Sequence, residues 1–350
     1  MFNNKIKISN KIIDHNRCFI VAEISANHNK NFNILKRFLL ELKNAGVDAV
    51  KLQAYQANTI TIDCKSKDFL IGKKNSWSKY NNLYKLYKKA ETPIEWFPKV
   101  FKFCKKINLI VFASVFDESN LKVLEKLNCP AYKIASPEIT DIPLIKKVSK
   151  TKKPIILSNG LSEFKDLKLA VNTIKQKNNK LIILKCTSSY PANLNELNLN
   201  TMIDIKKTFK CLSGYSDHTL GIHAGIHAAS LGASMLEKHV KPSGVKSVDS
   251  FFSITINQLK IMINTIRQNE KSNGIVSYEI AKSSKKNMNG RRSLYVVKDI
   301  EKGEKFTKNN VKSIRPCYGI HPKFLDFFLN KKSLKDIKYG SRLKWEYIKK

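Results

Sequence analysis

The sequence predicts an α/β protein in which a (β/α)8 barrel is followed by a small, mostly β domain. Eight short apolar runs alternate with helix-like stretches at a steady interval, the period of a barrel of about 250 residues. Each run ends at or beside a polar side chain, and barrel enzymes keep their chemistry at that rim. After Asn273 a polar segment leads into short alternating runs. The predicted boundaries are 1–273 for the barrel, 274–290 for a linker and 291–350 for the second domain.

The predicted elements follow in chain order. A polar lead-in, residues 1–17, has no apolar signal core. Residues 55–92, rich in Lys, Asn and Tyr, form an insertion too long for an ordinary βα loop, and we expect it to cover the top of the barrel. The predicted strands are 18–24, 47–53, 109–114, 130–135, 154–158, 180–186, 211–216 and 233–239. The predicted helices are 32–45, 93–107, 119–127, 142–150, 162–176, 198–209, 221–231 and 255–272.

Polar and ionisable side chains end every predicted strand. Such groups would be costly to bury inside a barrel, but the carboxyl ends of parallel strands form a common rim where ligands bind. Ordinary solvated loop residues would explain one or two positions and not all eight, because Glu23, Lys51 and Lys133 lie within apolar runs or one step from their ends. The residues expected at the rim include Glu23, Lys51, Gln53, Ser114, Lys133, Ser136, Glu138, Ser158, Asn159, Thr187, Ser188, Tyr190, Ser216, Asp217, His218, Glu237, Lys238 and His239.

Two histidines fall at matching places near the ends of neighbouring predicted strands. His218 follows the run CLSGYS, and His239 closes the run ASMLEKH, with a helical stretch between them. A right-handed βαβ unit brings both to one edge of the sheet, where two imidazoles can share a metal ion. A lone histidine at a strand end is more often a hydrogen-bonded structural residue, and that alternative stays open for each.

The formal net charge of +36 invites a nucleic-acid interpretation, since basic proteins neutralise phosphates. The lysines are spread over nearly every segment, together with abundant Asn and Ile, which indicates a compositional bias of the whole chain. We therefore predict no nucleic-acid partner. A positive field would still attract a small anionic substrate.

Hydropathy and cysteine usage indicate the cellular compartment in which the protein is found. No run approaches the roughly 18 uncharged apolar residues that a membrane span requires. The cysteines form no CxxC pair and several lie inside apolar runs, which is typical of reduced cytosolic thiols. We predict a cytoplasmic protein without membrane contact. The cysteines are Cys18, Cys64, Cys104, Cys129, Cys186, Cys211 and Cys317.

The chain carries the motifs FIVAEISANHN, DAVKLQAY, PAYKIASPEITDIPLI, LKCTSSYPA, LSGYSDHTLGIHA and LEKH. Their order and spacing resemble the sialic acid synthase family. The segment RRSLYVVKDIEKGEKFTKNNVKSIRP is similar to the SAF, or antifreeze-like, domain of that family, and the likeness covers roughly residues 17–350. Within the family, VDSFFS at 248–253 and RPCYGIHPKF at 315–324 are most like the pseudaminic acid synthases.

The resemblance implies a transferase that forms a carbon–carbon bond. It would condense phosphoenolpyruvate with 2,4-diacetamido-2,4,6-trideoxy-L-altrose, giving the nine-carbon pseudaminic acid and phosphate. The implied cofactor is a divalent metal, with Mn²⁺ first and Mg²⁺ or Co²⁺ as alternatives. The implied partner is a second copy of the chain, in a homodimer whose SAF domain closes the partner subunit's site.

The resemblance also assigns roles to residues. His218 and His239 match metal ligands, and Glu138 matches a proposed acid/base. Glu23 and Asp249 match groups that hold the acceptor sugar. The further positions implied to bind substrate are Lys51, Gln53, Ser114, Lys133, Ser136, Ser188, Tyr190 and Ser216, with Arg315 inserted by the SAF domain into the partner subunit's site.

Several alternatives remain open from the sequence. A strand lysine could pair with Glu23 or Glu138 instead of binding an anion. The acceptor could be N-acetylmannosamine or the legionaminic precursor, with the same chemistry. Lys133 or Lys185 could form a Schiff base in a metal-independent aldolase, and the basic surface with its SAF-like tail could belong to a polysaccharide or nucleic-acid binding module.

Overall fold

Eight parallel strands close into a barrel in the first of two compact units. The computed structural model describes residues 2–349 and divides the chain into Met1–Gly274 and Ile275–Lys350. Strand β10 pairs with both β3 and β9, which closes the barrel, and β11 pairs with β10. The strands of this unit are β1 (Ile6–Ile8), β2 (Lys11–Ile13), β3 (Phe19–Glu23), β4 (Ala49–Ala54), β5 (Ile110–Val115), β6 (Tyr132–Ile134), β7 (Ile155–Ser158), β8 (Leu181–Cys186), β9 (Leu212–Asp217), β10 (Met235–Lys241) and β11 (Ile254–Thr255).

The barrel strands are buried on both faces, as expected for strands that lie between a barrel interior and a layer of helices. All residues of β3 and β5 are buried. Gly214 in β9 faces Met235, and a β-carbon at Gly214 would lie 2.2 Å from the Met235 carbonyl oxygen. Glycine therefore allows β9 and β10 to approach each other closely. The predicted strand ends differ from the observed ones by no more than two residues.

Amphipathic segments form the helices. In α1 (Phe32–Ala45), apolar side chains at i, i+3, i+4 and i+7 from Leu35 make one buried stripe. The Asn31 side chain accepts two backbone N–H bonds at the N-terminus, and Gly46, with φ of 87°, ends the helix. The other helices of this unit are α2 (Ala57–Ile60), α3 (Leu83–Ala90), α4 (Trp96–Lys106), α5 (Glu118–Lys126), α6 (Ile142–Lys150), α7 (Phe164–Lys175), α8 (Asn200–Phe209), α9 (His223–Ser230) and α10 (Ile256–Asn273).

The insertion between β4 and α4 carries α2 and α3. Leu86 and Ala90 of α3 pack in one apolar cluster with Ala26 and Val248. Ala26 follows β3 and Val248 follows β10, so the insertion lies over the carboxyl ends of the barrel strands. The expectation that residues 55–92 cover the top of the barrel agrees with this packing.

The polar lead-in contains a hairpin that the hydrophobic pattern did not predict. Strands β1 and β2 pair antiparallel, and Ile6, Ile8 and Ile13 are buried among the surrounding lysines and asparagines. The Asn3 N–H donates to the carbonyl of Asn179, which precedes β8. The hairpin therefore lies at the amino-terminal end of the barrel, away from the rim where strands end.

The second unit has its own core. Strand β12 (Ser293–Val296) pairs antiparallel with β13 (Val311–Ile314), single bridges such as Ile300–Ile337 extend the pairing, and α11 (Leu325–Phe328) follows. Residues 275–292 are exposed, although Lys282–Gly290 forms a 3₁₀ helix. The core consists of Leu294, Val296, Ile300, Phe306, Val311, Phe328, Ile337, Leu343, Tyr347 and Ile348.

Within residues 2–349, no helix combines the length and the apolar character that crossing a membrane requires.

Candidate active site

A cavity of about 460 Å³ opens among the carboxyl ends of the barrel strands. Side chains from the strands line its inner part, and the insertion and the segment after β10 line the rest. Eleven of the fourteen residues that the family resemblance implied for the site lie on its lining. They are Lys51, Gln53, Ser114, Lys133, Ser136, Glu138, Tyr190, Ser216, His218, His239 and Asp249.

Three other predicted residues lie outside this lining. Glu23 is fully buried beneath it, with its carboxylate 3.2 Å from the ammonium group of Lys51. The Ser188 hydroxyl lies 3.7 Å from the Cys186 sulfur, and Cys186 lines the cavity. Arg315 belongs to the second unit, where it follows β13.

Four buried side chains, Lys51, Lys133, Ser216 and Glu237, form what we call the polar floor. One oxygen of Glu237 lies 2.7 Å from Lys51 Nζ, 3.3 Å from Lys133 Nζ and 3.1 Å from Ser216 Oγ. Lys51 also pairs with Glu23. The sequence left open that a strand lysine pairs with Glu23, and this pair is present for Lys51. Both lysines nevertheless line the cavity.

The two acids around the polar floor have opposite pKa shifts. Burial raises the pKa of Glu23 to about 7, an effect that Lys51 only partly offsets. Burial acts on Glu237 in the same sense, but Lys133 and Lys51 outweigh it and hold its pKa below the ordinary value. At neutral pH Glu237 is therefore ionised while Glu23 is partly protonated. The polar floor and Glu23 together then carry less negative charge than two ionised carboxylates would.

Glu138 lies in the 3₁₀ helix Ser136–Thr140, which directly follows β6. Burial raises the pKa of Glu138 to about 7. Its Oε2 atom is buried without a hydrogen-bond partner. A carboxyl group with this pKa changes its charge near neutral pH, and Glu138 can therefore exchange a proton with a molecule in the cavity.

The two histidines come together as the strand positions predicted. Their ring centroids are 5.2 Å apart, and His218 Nδ1 lies 3.0 Å from the carbonyl oxygen of Thr187. In the neutral ring that bond places the proton on Nδ1 and leaves Nε2 as the lone-pair atom. Burial lowers the pKa of His218, but Cys186 and the Thr187 carbonyl outweigh it and raise that pKa above its ordinary value. His239 Nδ1 is buried without a partner, and burial lowers the pKa of His239 well below the ordinary value, which favours the neutral ring. Among residues 2–349, no group of three or more His, Cys, Asp or Glu side chains is arranged to hold a metal ion.

Several residues of the cavity were not among the predicted site residues. Glu237 precedes His239 by two positions, and the alternation of side chains along a strand would have placed both in the barrel interior. Cys186 is buried; although burial raises its pKa, His218 and Lys133 outweigh that effect and lower it to about 6. Gly160 lies beside the cavity: a β-carbon there would lie 2.2 Å from Ser188 Oγ and 2.9 Å from both Cys186 Sγ and Ser136 Oγ, so those side chains would have to shift.

Part of the cavity lining is apolar, and we call Ile71, Trp77, Leu86, Val248 and Phe252 the apolar wall. The Trp77 ring packs edge-on against Phe252 and Tyr190, with centroids 6.3 and 5.3 Å away. Trp77 Nε1 donates to the Val248 carbonyl at 3.3 Å. The sequence could not predict this wall, because Trp77 and Val248 are 171 positions apart.

Comparisons with known proteins agree with this architecture. Residues 39–278 match the NeuB family, and residues 291–349 match the SAF domain. The chain belongs to the NeuB family. The pseudaminic acid synthase of Helicobacter pylori is 42% identical to this NeuB-family chain over 334 residues, which are 95% of this chain and 98% of that protein. The predicted family, barrel and SAF domain are thereby confirmed.

Two further proteins place the chain within the NeuB family. The N,N'-diacetyllegionaminic acid synthase of Campylobacter jejuni is 34% identical, over 92% of this chain and 97% of that protein. The crystal structure of the N-acetylneuraminic acid synthetase of Leptospira borgpetersenii superposes with a TM-score of 0.70 at 28% identity, covering 82% of this chain and 96% of that one.

Proposed function

We propose that this chain is a pseudaminic acid synthase, an enzyme that condenses phosphoenolpyruvate with 2,4-diacetamido-2,4,6-trideoxy-L-altrose to give pseudaminic acid and phosphate. The observation that carries the proposal is the convergence of two lysines, two histidines and a carboxyl group in one barrel cavity. The name of the Helicobacter pylori relative, at 42% identity over nearly the full length of both chains, supports this acceptor over the legionaminic precursor.

Lys51 and Lys133 would bind the phosphate and carboxylate of phosphoenolpyruvate. The substrate brings negative charge that competes with Glu237 for both ammonium groups, and serine hydroxyls complete the contacts to its oxygens. The Ser136 hydroxyl already accepts the Gly160 N–H at 3.0 Å, which orients it beside the cavity. The hydroxyls proposed for this role are those of Ser114, Ser136, Ser188 and Ser216.

His218 and His239 fit a divalent cation, with Mn²⁺ preferred over Mg²⁺ or Co²⁺. The Thr187 carbonyl fixes the tautomer of His218, and His239 has a buried nitrogen without a partner. With two protein ligands, several coordination positions are left for water and for the acceptor. When bound, such a cation acts as a Lewis acid on a carbonyl oxygen.

The reaction requires proton transfer, and Glu138 is the proposed acid/base. The enol carbon C3 of phosphoenolpyruvate forms a bond to the aldehyde carbon of the open-chain sugar, and the aldehyde oxygen takes up a proton. Water adds at C2, loses a proton, and the bond from C2 to the phosphate oxygen breaks. Glu138, with its pKa near 7, would accept the proton of the water in its ionised form.

The apolar wall would receive the methyl groups of the acceptor, which has two acetamido groups and a deoxy C6. Trp77 offers an aromatic face at low cost in conformational entropy. Asp249 would hold a hydroxyl or amide of the sugar. Burial raises its pKa, and its Oδ2 atom already accepts from the Ser25 hydroxyl and from the Ala26 N–H.

We also propose an obligate homodimer in which the SAF domain supplies Arg315 to the partner subunit's site, with residues 274–290 as the linker. Ile275, Val276 and Tyr278 are 89%, 91% and 99% exposed, and exposed apolar side chains in a row are typical of surfaces that another chain covers. Mixing inactive Arg315→Ala and His218→Ala variants should restore part of the activity. Failure to restore it after re-assembly would contradict the arrangement in trans.

One assay tests the proposed reaction against its alternatives. Purified protein is incubated with phosphoenolpyruvate, Mn²⁺ and each candidate amino sugar, phosphate release is measured, and the product is identified by mass and NMR. We expect the altrose derivative to be turned over at least tenfold faster than N-acetylmannosamine or the legionaminic precursor. Covalent trapping at Lys133 by borohydride, together with activity that survives chelation, would instead support a Schiff-base aldolase.

A further inference from the structure

A further buried ion pair lies on β9 and β10, the strands whose ends carry the two histidines. Lys238 Nζ is 2.8 Å from Asp217 Oδ2, and both side chains are 0% exposed. Asp217 and Lys238 are opposite each other in the register of β9 and β10, and each directly precedes one of the histidines. A β-carbon at Gly225 of α9 would be 3.4 Å from Asp217 Oδ2, so the pair faces the helix layer while the histidines face the cavity.

The pair holds the backbone on both sides of His218. Lys238 Nζ donates to the Thr219 carbonyl at 2.6 Å, in addition to its contact with Asp217. The other oxygen of Asp217 accepts the Thr219 N–H at 2.9 Å and the Thr219 hydroxyl at 2.8 Å. His218 is thus bracketed by two residues that bind Lys238. The residue that follows Lys238 is His239, so one side chain connects the two histidine positions.

Stabilisation of the folded protein does not by itself explain why the Asp217–Lys238 pair is buried. Burying two charges costs several kcal/mol per ion, and well-packed apolar side chains of similar volume are often as stabilising or more so. The β9–β10 register ends at Asp217 and Lys238, while β10 continues to pair with β3 at His239 and with β11 beyond it. Past that point, the side-chain contacts of Lys238 hold the β9 end and the β10 end together.

We propose that Lys238 and Asp217 are positioning residues that fix the distance between the His218 and His239 imidazoles, so that both can bind one divalent cation. This inference rests on the metal site of the proposed function. The two residues touch neither substrate nor metal. They act through the backbone that carries the two rings, as outer-shell partners of metal ligands do.

The main test is the double variant Asp217→Leu/Lys238→Met, which removes the pair without changing the net charge. Mn²⁺ alone is the probe, and its dissociation constant is measured by electron paramagnetic resonance of the free ion. We expect that constant to rise about 10- to 100-fold, while the binding of phosphoenolpyruvate without metal changes less than twofold. Unfolding by denaturant should show some loss of stability, because the buried N–H, hydroxyl and carbonyl of Thr219 lose their partners.

The conservative variant Asp217→Asn keeps the shape and the acceptor oxygen for Thr219 and loses only the charge. We expect it to weaken Mn²⁺ binding less than the double variant does. Asp48→Asn, at the opposite end of the barrel, is the matched control for loss of a buried carboxylate, and it should lower stability with unchanged Mn²⁺ affinity. A double variant whose Mn²⁺ dissociation constant stays within twofold of the unchanged protein would overturn the proposal.

His218→Ala separates this inference from the proposed reaction. If the unchanged protein and His218→Ala bind Mn²⁺ equally, the two-histidine site is wrong, and the positioning role fails with it. If His218→Ala loses Mn²⁺ but no amino sugar releases phosphate from phosphoenolpyruvate, the reaction assignment fails. The positioning role is then still supported by the Mn²⁺ affinities of the double variant.

Discussion

The two ends of the barrel both bury charged side chains, but they satisfy them differently. At the amino-terminal end, Asp48 accepts bonds of 2.6 to 2.9 Å from Lys11, Arg17, Arg267 and the Ile20 N–H. Burial raises the pKa of Asp48, but these partners outweigh it and hold the pKa below its ordinary value. This carboxylate is fully committed to bonds within the protein. Such a group stabilises the fold and has nothing left for a ligand.

At the carboxyl end, several buried polar groups around the cavity are left without full hydrogen bonding. Glu23, Glu138, Glu237 and His239 each keep at least one buried polar atom without a hydrogen-bond partner. Unsatisfied buried groups cost free energy, and proteins retain them where a ligand or a reaction completes them. The comparison indicates that the buried charges at the amino-terminal end stabilise the barrel, whereas those at the carboxyl end are placed to interact with a ligand. Four variants test that contrast.

The largest expected effect is on activity, from Lys133→Met. The substitution removes one cation from the polar floor, while Glu237 keeps its 2.7 Å contact with Lys51 and stays paired. We expect kcat/KM for phosphoenolpyruvate to fall about 10³-fold with little change in the unfolding midpoint. Lys185→Met is the matched control, because Lys185 is half-buried on β8, donates to the Cys186 carbonyl and does not line the cavity. If kcat/KM falls less than tenfold in Lys133→Met, Lys133 does not bind phosphoenolpyruvate in the way proposed.

The converse variant, Asp48→Asn, should affect stability and leave activity unchanged. Breaking a buried pair lowers the free energy of unfolding by about 3 kcal/mol at pH 7, measured by denaturant titration. Because the pKa of Asp48 is depressed in the folded protein, its stabilisation is present above the unfolded pKa and is lost as the pH falls through the folded pKa. The difference between the two proteins should therefore shrink in acid. Loss of kcat in this variant would contradict the conclusion that the amino-terminal end contributes only to stability.

Glu138→Gln should stabilise the protein while it removes activity. The pKa of Glu138 is about 7 in the folded protein, above the unfolded value, so ionisation at higher pH opposes folding. Glutamine stays neutral, and the variant should gain about 3 kcal/mol relative to the unchanged protein between pH 4 and pH 8. In the unchanged protein we expect kcat/KM to rise with pH through about 7. A relative stability that does not vary with pH would contradict the raised pKa.

The smallest expected effect comes from Trp77→Ala in the apolar wall. Loss of the aromatic face should raise KM for the amino sugar about tenfold and leave KM for phosphoenolpyruvate unchanged. Trp96→Ala is the matched control, since Trp96 packs on Phe32 and His28 and does not line the cavity. It should cost stability without a change in either KM. Equal effects on both substrates would place Trp77 outside the acceptor site.

Much of the fold could be predicted because barrel strands and helices carry strong local patterns. Strand bounds agree within two residues, and α1 and α6 have the predicted limits of 32–45 and 142–150. The hairpin β1–β2 was missed because its strands have three residues each and alternate with lysine and asparagine. The helix α2 was missed because it has only four residues, whereas α3 carries an apolar stripe, Leu83, Leu86, Tyr87 and Ala90, from which it could have been predicted.

The candidate site was predictable where a residue's role follows from its place on a strand. The positions of Lys51, Lys133, His218 and His239 at strand ends put all four on one rim, and the structure brings them to one cavity. Glu237 was expected at the rim but was given no role in the site, because its role depends on Lys51, 186 positions away. Gly160 and Trp77 were missed for the same reason, since their contacts come from segments that only the closed barrel brings near.

The sequence by itself determined the period of the barrel, the order of its elements, the polar ends of its strands and the family likeness. These are local properties, set by the alternation of apolar and polar residues along each segment. Only the tertiary structure decided which charges pair, which buried atoms remain without partners, and how burial shifts the pKa values of Glu23 and Glu138. Those properties depend on distances between atoms of strands far apart in the chain, and on the water that the closed barrel excludes from them.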